Sequence, residues 1–169
     1  NGAVSLVAGT ITFTPTANYF GPASFTYTLS DGNGGSATGT VNISVTAVND
    51  DPVAVADAYS TAEDTALLIP ASDLTTNDTD VDGGALTVTS VQGAVNGAVA
   101  LVAGTITFTP TANFSGAASF TYTVSDGNGG SATGTVNITV DPVNDDPHAH
   151  PQSYTINEVT PLVIAASDL

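Results

Sequence analysis

The sequence repeats itself with an offset of 95 residues, and this repeat constrains the fold more than any other feature. Ile11–Pro15 recurs as Ile106–Pro110, and 44 of the first 52 positions are identical with the residues 95 positions later. Over the next 22 positions only 10 are identical. We therefore divide the chain into the C-terminal part of one repeat (1–51), a complete repeat (52–146) and the N-terminal part of a further repeat (147–169), and interpret it as a window on a longer tandem array.

Apolar and polar residues alternate within each repeat, which is typical of half-buried β-strands. Ile106 and Phe108 are predicted to share one face of a strand, and Phe120 and Tyr122 follow the same rule. Turn-forming runs such as Asp126–Gly130 separate these segments, and no segment has a sustained helical period. About seven short strands per repeat predict an all-β fold of tandem Greek-key β-sandwich domains, of the immunoglobulin or cadherin kind.

The charge composition excludes several classes of function. The chain has no Lys or Arg against 16 Asp and Glu residues, which gives a formal net charge of −16. Because phosphate contacts depend on Lys and Arg, we expect no nucleic-acid partner and no binding to an anionic membrane surface. The 41% of apolar residues favours a packed core, yet no apolar run is long enough for direct membrane insertion.

The sequence predicts no catalytic site. It has no Cys or Lys nucleophile, and its two histidines, His148 and His150, lie together after one linker, so a Ser-His-Asp set would lack its His in the complete repeat. Val53 and Val55 take the same positions one repeat earlier. We therefore interpret the two histidines as solvated or packing residues and not as a transition-metal site.

Acidic residues gather in one loop of the complete repeat. Asn77–Gly84 carries Asp78, Asp80 and Asp82 at alternate positions before a glycine, a spacing that lets several oxygens converge on Ca²⁺. The twelfth position of this loop is Thr89 and not Glu, so further ligands must come from elsewhere. The alternative is that these residues only form a turn, but a turn does not need three like charges that repel one another.

The two linkers and one glutamate supply the missing oxygens. At the first junction we expect Asn49 with Asp50 or Asp51 to join the loop, and at the second we expect a partial site around Glu63. The complete predicted set of Ca²⁺ ligands is Asn49, Asp50, Asp51, Glu63, Asp78, Asp80, Asp82, Asn144, Asp145 and Asp146. Asp31 and Asp126 are assigned to turn formation.

Several motifs in the same order resemble those of cadherin repeats. Ser125–Gly130, followed by Val136–Val140 and Val143–Pro147, is similar to the end of a cadherin repeat and its calcium-binding linker. Asp80–Gly83 resembles the cadherin D-x-D motif, and Glu63 resembles the glutamate near the first cadherin strand. This similarity implies Ca²⁺ as the cofactor at the junctions between domains.

The 95-residue period most resembles the bacterial cadherin-like tandem repeats of giant secreted, RTX-type adhesins. The resemblance covers the whole chain and implies an extracellular location at the bacterial cell surface. Asn113–Ser115 and Asn18–Phe20 stand where animal cadherins have D-R-E or D-Y-E, and the leading Asp of the cadherin D-x-N-D-N motif is displaced to Asp141. These departures imply one or two ions per junction.

We therefore expect structural extender repeats that Ca²⁺ rigidifies at the junctions, and that project an adhesive module for cell adhesion or biofilm formation. The expected partners are neighbouring repeats of the same chain, with lateral or head-to-tail self-association between chains as a further expectation. Two alternatives stay open. One is a carbohydrate- or protein-binding module of a secreted protein, which would carry an inserted loop or an exposed aromatic cluster. The other is a repeat from the non-catalytic region of a secreted enzyme.

Overall fold

A computed structural model describes residues 1–168 of the chain. Leu169, the last residue of the predicted third segment, lies outside the described residues. The architecture is all-β, as the alternating pattern predicts. The N-terminal segment has the strands β1 (Gly2–Val7), β2 (Thr10–Pro15), β3 (Gly21–Ser30) and β4 (Ser36–Val45). The complete repeat has β5 (Asp57–Ala62), β6 (Leu67–Pro70), the helix α1 (Ala71–Leu74), β7 (Thr87–Val95), β8 (Gly97–Val102), β9 (Thr105–Pro110), β10 (Gly116–Ser125) and β11 (Ser131–Asp141).

The seven strands of the complete repeat form two sheets. One sheet has the order β5-β11-β10-β7 and the other has the order β6-β9-β8. β5 runs parallel to β11, and every other pair is antiparallel. The hairpin between β8 and β9 turns through Ala103 and Gly104, which both have positive φ angles of 48° and 79°. Positive φ at both central residues matches the right-handed twist of the two flanking strands.

The core of the repeat lies between these two sheets. Ile106 and Phe108 are both fully buried, which confirms that they share the inward face of their strand. The Phe108 ring stacks on Phe120, with 6.1 Å between the ring centroids. The buried cluster comprises Ile69, Leu74, Val88, Ile106, Phe108, Ala118, Phe120, Tyr122, Val124, Val136, Ile138 and Val140.

Residues 1–46 form the same two hairpins without the strands that cover them in the complete repeat. β1 pairs with β2 as β8 pairs with β9, and β3 pairs with β4 as β10 pairs with β11. Counterparts of β5, β6 and β7 are absent from the described part of this segment, and its apolar face is open. Tyr27 is 38% exposed, whereas its counterpart Tyr122 is fully buried. Tyr27 is more exposed because the strands that cover Tyr122 are missing around it, since the sequences next to the two tyrosines are nearly the same.

Residues 147–168 form no strand, although their counterparts in the complete repeat form β5 and β6. A 3₁₀ turn at Ala166–Asp168 is the regular element in this described stretch. β5 and β6 exist in the complete repeat because they hydrogen-bond to β11 and β9, and residues 147–168 have no such neighbour in this chain. Over residues 1–168, no helix is both long and apolar enough to span a bilayer.

The two copies of one core position provide a test of the packing. Phe108→Ala removes a fully buried ring from the complete core and is expected to destabilise the repeat by about 3–5 kcal/mol. The matched control is Phe13→Ala, at the same position of the half-covered segment, which is expected to cost much less. Urea unfolding followed by circular dichroism measures both. Equal losses for the two variants would contradict the described difference in packing.

Candidate functional site

The linker between the first two segments lies against the acidic loop of the complete repeat. The backbone N–H of Asp50 donates a hydrogen bond to Asp82 Oδ2 at 2.6 Å. Val53 and Thr79 form an isolated antiparallel bridge, with N–H···O distances of 2.7 and 3.0 Å. The Asn77–Gly84 loop is therefore beside the linker, where the first-junction prediction requires it to be.

A second loop, Asp126–Gly130, holds the other side of the linker. Asn49 Nδ2 donates to Asp126 Oδ2 at 2.6 Å. The backbone N–H of Ser131 donates to Asp51 Oδ1 at 3.3 Å. Asp126 also accepts the backbone N–H groups of Asn128 and Gly130 at 2.8 and 3.0 Å, so the turn itself orients the carboxylate.

The backbone of Gly130 makes room for three of these side chains to converge. A Cβ at this residue would overlap Asp126 Oδ2 and would lie 3.0 Å from both Asn49 Nδ2 and Asp51 Oδ1. At Gly35, in the equivalent loop of the first segment, the three atoms nearest to such a Cβ all belong to Asp31. The linker side chains of Asn49 and Asp51 therefore account for the convergence at Gly130.

The pKa of Asp126 and the pKa of its counterpart Asp31 are both lowered, but by different groups. The Asn49 hydrogen bond is the largest cause that lowers the pKa of Asp126, and the backbone N–H groups of the turn add to it. The pKa of Asp31 is lowered as well, but by the backbone N–H groups of Asn33 and Gly35 without a linker residue. Both carboxylates are thus held in the ionised form that a cation requires.

Asp78, a predicted calcium ligand, hydrogen-bonds inside the repeat. It is 9% exposed, its Oδ1 accepts the backbone N–H of Val55 at 2.8 Å, and the Tyr122 hydroxyl donates to its two oxygens at 3.1 and 3.2 Å. Nearby Asp57 has a buried Oδ2 with no hydrogen-bond partner, and burial, with the charge of Asp78 in addition, raises the pKa of Asp57. Asp78 therefore links the backbone of Val55, just after the linker, to the buried Tyr122 of the core.

The other predicted ligands fall into two groups. Asp80 Oδ1 accepts the backbone N–H of Asp82 at 2.8 Å, so both belong to the first junction. At the opposite end of the repeat, Glu63 Oε1 accepts the backbone N–H of Val143 at 2.6 Å. Asn144 Nδ2 donates to the carbonyl of Asp145 at 3.2 Å, and Asp145 and Asp146 are exposed.

The donor chemistry at the first junction fits a calcium ion. In residues 1–168, no three Asp, Glu or His side chains form a metal-binding group. The convergent set at Gly130 instead combines two carboxylates with one amide, and an Asn amide also offers an oxygen ligand. The sequence predicts only a turn role for Asp126; the structure shows this turn and adds the contact with Asn49 of the linker.

The contribution of the linker to this site is expected to be visible in one titration. In metal-free buffer, Asn49→Ala should raise the pKa of Asp126, because the hydrogen bond that most favours its ionised form is lost. Asp31 is the internal control, and its pKa should not change. The measurement is an NMR titration of the carboxyl carbons. An unchanged Asp126 pKa in the variant would mean that the linker does not lie on this loop in solution.

Comparison with known proteins agrees with the fold. The family model "Cadherin-like domain" matches residues 1–46 and 48–141. No curated protein matches the chain significantly. Among solved structures, the endo-fucoidan hydrolase MfFcnA9 from glycoside hydrolase family 107 is 22% identical, with 82% of this chain and 26% of that chain covered and a TM-score of 0.36. The titin domains z1z2, in complex with telethonin, are 15% identical, with 85% and 73% covered and a TM-score of 0.25. Because the family model matches most of its length, the chain belongs to the cadherin-like domain family.

Proposed function

We propose that this chain consists of extender repeats of a long extracellular bacterial adhesin, in which Ca²⁺ at the junctions fixes the orientation of neighbouring repeats. Cadherin-like domains commonly bind Ca²⁺, are typically extracellular and non-catalytic, and serve as adhesion-type or extender modules. The observation that supports the proposal most is the convergence of two linker side chains, Asn49 and Asp51, with Asp126 of the following repeat.

The ligands proposed for the ion come from both sides of the junction. Asn49 and Asp51 belong to the linker, and Asp126 belongs to the following repeat. Asp82, in the neighbouring loop, accepts the backbone N–H of the linker residue Asp50. Calcium binds six to eight oxygens, so water or carbonyl oxygens would complete the shell. The bound ion supplies positive charge that offsets the repulsion between carboxylates, which no Lys or Arg in this chain can offset.

A short linker makes such a cross-link effective. Only residues 47–51 separate the Cadherin-like segment 1–46 from Pro52, which is buried in the complete repeat. Free rotation over five residues is already limited, and the hydrogen bonds of Asn49 and Asp50 restrict it further. An ion shared by linker and loop would remove the remaining hinge motion, and a row of such junctions would form a stiff spacer.

One observation favours the alternative of a ligand-binding module. A cleft at the junction is lined by Phe20, Asp50 and Asp82, among others, and Phe20 is 59% exposed. An exposed ring beside carboxylates can contact the apolar and hydroxyl faces of a sugar. The complete repeat has Ser115 at the position of Phe20, so the cleft would be particular to this junction and not a property of every repeat.

Calcium is expected to raise the melting temperature of the chain. At a hundredfold excess over Kd the ion stabilises the folded state by about 2.7 kcal/mol, which corresponds to a rise of roughly 11–22 °C for one repeat. Asp126→Asn, which keeps the turn acceptor but removes the charge, should abolish most of this rise. Asp31→Asn, the same change in the loop without a linker, should leave it intact. Differential scanning calorimetry in Ca²⁺ and in EDTA measures the melting temperature of each variant. An equal rise with Ca²⁺ in the two variants would refute the junction site.

The mechanical role is tested on an array of three copies of residues 52–146. In Ca²⁺ we expect a rod whose length grows by about 35–45 Å per repeat, and in EDTA a flexible chain of smaller radius of gyration. Small-angle scattering measures both states, and the Asp126→Asn array serves as a control that should stay flexible in Ca²⁺. An array that is equally bent in both conditions would contradict the extender function and favour the ligand-binding module.

A further inference from the structure

Four Asn-Gly pairs occur in the chain, and the structure divides them into two kinds. In Asn96–Gly97 and its counterpart Asn1–Gly2 the glycine begins a β-strand, whereas Asn128–Gly129 and its counterpart Asn33–Gly34 lie in the loop between the last two strands of a repeat. In an Asn-Gly pair the next backbone nitrogen can reach the side-chain amide easily, because glycine has no Cβ to hinder the approach. The surroundings of each pair then decide whether the two groups can meet.

The amide of Asn96 is held by its surroundings. Its Nδ2 donates to the carbonyl of Ala117 at 2.9 Å, and its own carbonyl accepts the backbone N–H of Thr111 at 3.0 Å. Gly97 is packed against the core, since a Cβ at Gly97 would overlap the ring of Phe108. The Asn96 side chain would have to leave Ala117 before it could form a ring with the Gly97 nitrogen.

The amide of Asn128 is much less restrained. Asn128 and Gly129 are both exposed, and beyond the chain neighbours of Gly129 no atom lies within 4 Å of a Cβ built on it. The side-chain hydrogen bond of Asn128, from Nδ2 to the carbonyl of Asp126, is 3.5 Å long and exceeds the usual N–H···O range. The side chain can therefore turn toward the Gly129 nitrogen at little cost.

The backbone around Asn128 also favours the reaction. The Asn128 N–H is fixed to Asp126 Oδ1 at 2.8 Å, so the residue keeps its place while its side chain turns. The pKa of Asp126 is lowered first by Asn49 and then by backbone N–H groups that include that of Gly129. The carboxylate of Asp126 is therefore beside the proton that the Gly129 nitrogen has to lose.

We propose that Asn128 is a site of spontaneous deamidation, with Gly129 as the attacking residue. The Gly129 nitrogen bonds to Cγ of Asn128 and loses its proton, while the bond from Cγ to Nδ2 breaks and ammonia leaves. Water then opens the five-membered imide. Opening at Cγ gives aspartate, and opening at the main-chain carbonyl gives isoaspartate. We restrict the proposal to Asn128, because its repeat and the linker before it are both present in the described structure.

The two products change the junction in different ways. Asn49, Asp82 and Asn128 line one cleft, so aspartate adds a carboxylate to this cleft and leaves the main chain as it was. Isoaspartate adds one carbon to the main chain of the loop and displaces the Gly130 N–H, which donates to Asp126 Oδ1 at 3.0 Å. Asp126 would then lose the orientation in which it accepts the Asn49 amide.

The effect on calcium rests on the proposed function of the junction. If Asp126 and the linker bind Ca²⁺, the isoaspartate form should lose the rise in melting temperature that the ion causes. The aspartate form should keep this rise, because its turn is intact and it offers one more oxygen ligand. An ageing array would therefore become flexible at one junction after another.

The test follows the full 169-residue chain during incubation in EDTA at slightly alkaline pH. Digestion before aspartate gives one peptide, 126–140, that contains Asn128, and another, 82–125, that contains Asn96. Mass spectrometry should find deamidation at Asn128 about tenfold faster than at Asn96, a factor typical of one hydrogen bond with its packing. The aspartate product creates a new cut before residue 128 and the isoaspartate product does not, so the same digest separates them.

Two variants and one reference state serve as controls. Asn128→Gln should remove the conversion at residue 128, because the longer side chain closes a six-membered ring much more slowly, and Asn96→Gln should leave it unchanged. In the urea-unfolded chain Asn96 and Asn128 should convert at similar rates, since each precedes a glycine. Equal rates in the folded chain, or a slower rate at Asn128, would overturn the proposal.

Differential scanning calorimetry of the aged chain separates this inference from the calcium site itself. The rise with Ca²⁺ should shrink in proportion to the isoaspartate fraction at residue 128, whereas Asn128→Asp should keep the rise. A fresh chain without any rise would contradict the calcium site, while the deamidation rates would still support or overturn the modification. An unchanged rise after complete conversion to isoaspartate would overturn its effect on the junction.

Discussion

The pairing of the N-terminal half of a repeat with its C-terminal half is the interaction on which this structure depends. β5 and β6 are each paired to a strand from the other half, and between them they close the core over Phe108 and Tyr122. Where both halves are present, residues 52–141 bury a full core. Where only one half is present, the hairpins still form through local antiparallel pairing, but their apolar face stays open. Residues 147–168 have neither local pairing nor a partner sheet, and they remain without strands.

A second constraint comes from the absence of basic side chains. With 16 carboxylates and no Lys or Arg, the acidic groups can be satisfied only by N–H and O–H donors or by cations. Hydrogen bonds from backbone N–H groups are common in this structure, and at the two junctions they reach Asp82, Asp126 and Glu63. These bonds orient the carboxylates but leave their charges in place. Binding of a divalent cation at the linker would therefore add to the existing geometry without replacing it.

At the buried end of the sandwich, two carboxylates lie inside the repeat and not on a junction loop. Asp78 receives the hydroxyl of Tyr122 and the N–H of Val55, while the pKa of Asp57 is raised mainly by burial. Loss of the Tyr122 proton is also disfavoured by burial and by the charge of Asp78. Tyr27, at the same position of the open segment, has no counterpart of Asp78 in the described residues. Two acidic residues that look alike in the sequence, Asp78 and Asp80, therefore lie in a buried network and in a junction loop.

The sequence by itself determined the repeat, an all-β unit of about seven strands, and the faces shared by Ile106 with Phe108 and by Phe120 with Tyr122, because these follow from alternation and from local turn residues. It also indicated that the Asn77–Gly84 loop meets the linker at Asn49–Asp51, because the loop alone has too few oxygens for Ca²⁺ and the linker carries further acidic residues. Only the tertiary structure decided that Asp126 joins the linker side chains of Asn49 and Asp51, and that Asp78 belongs to the interior while Asp80 lies in the junction loop. Those distinctions depend on which segment lies on which loop, and residues with the same neighbours in sequence differ only through the contacts that the folded chain brings to them.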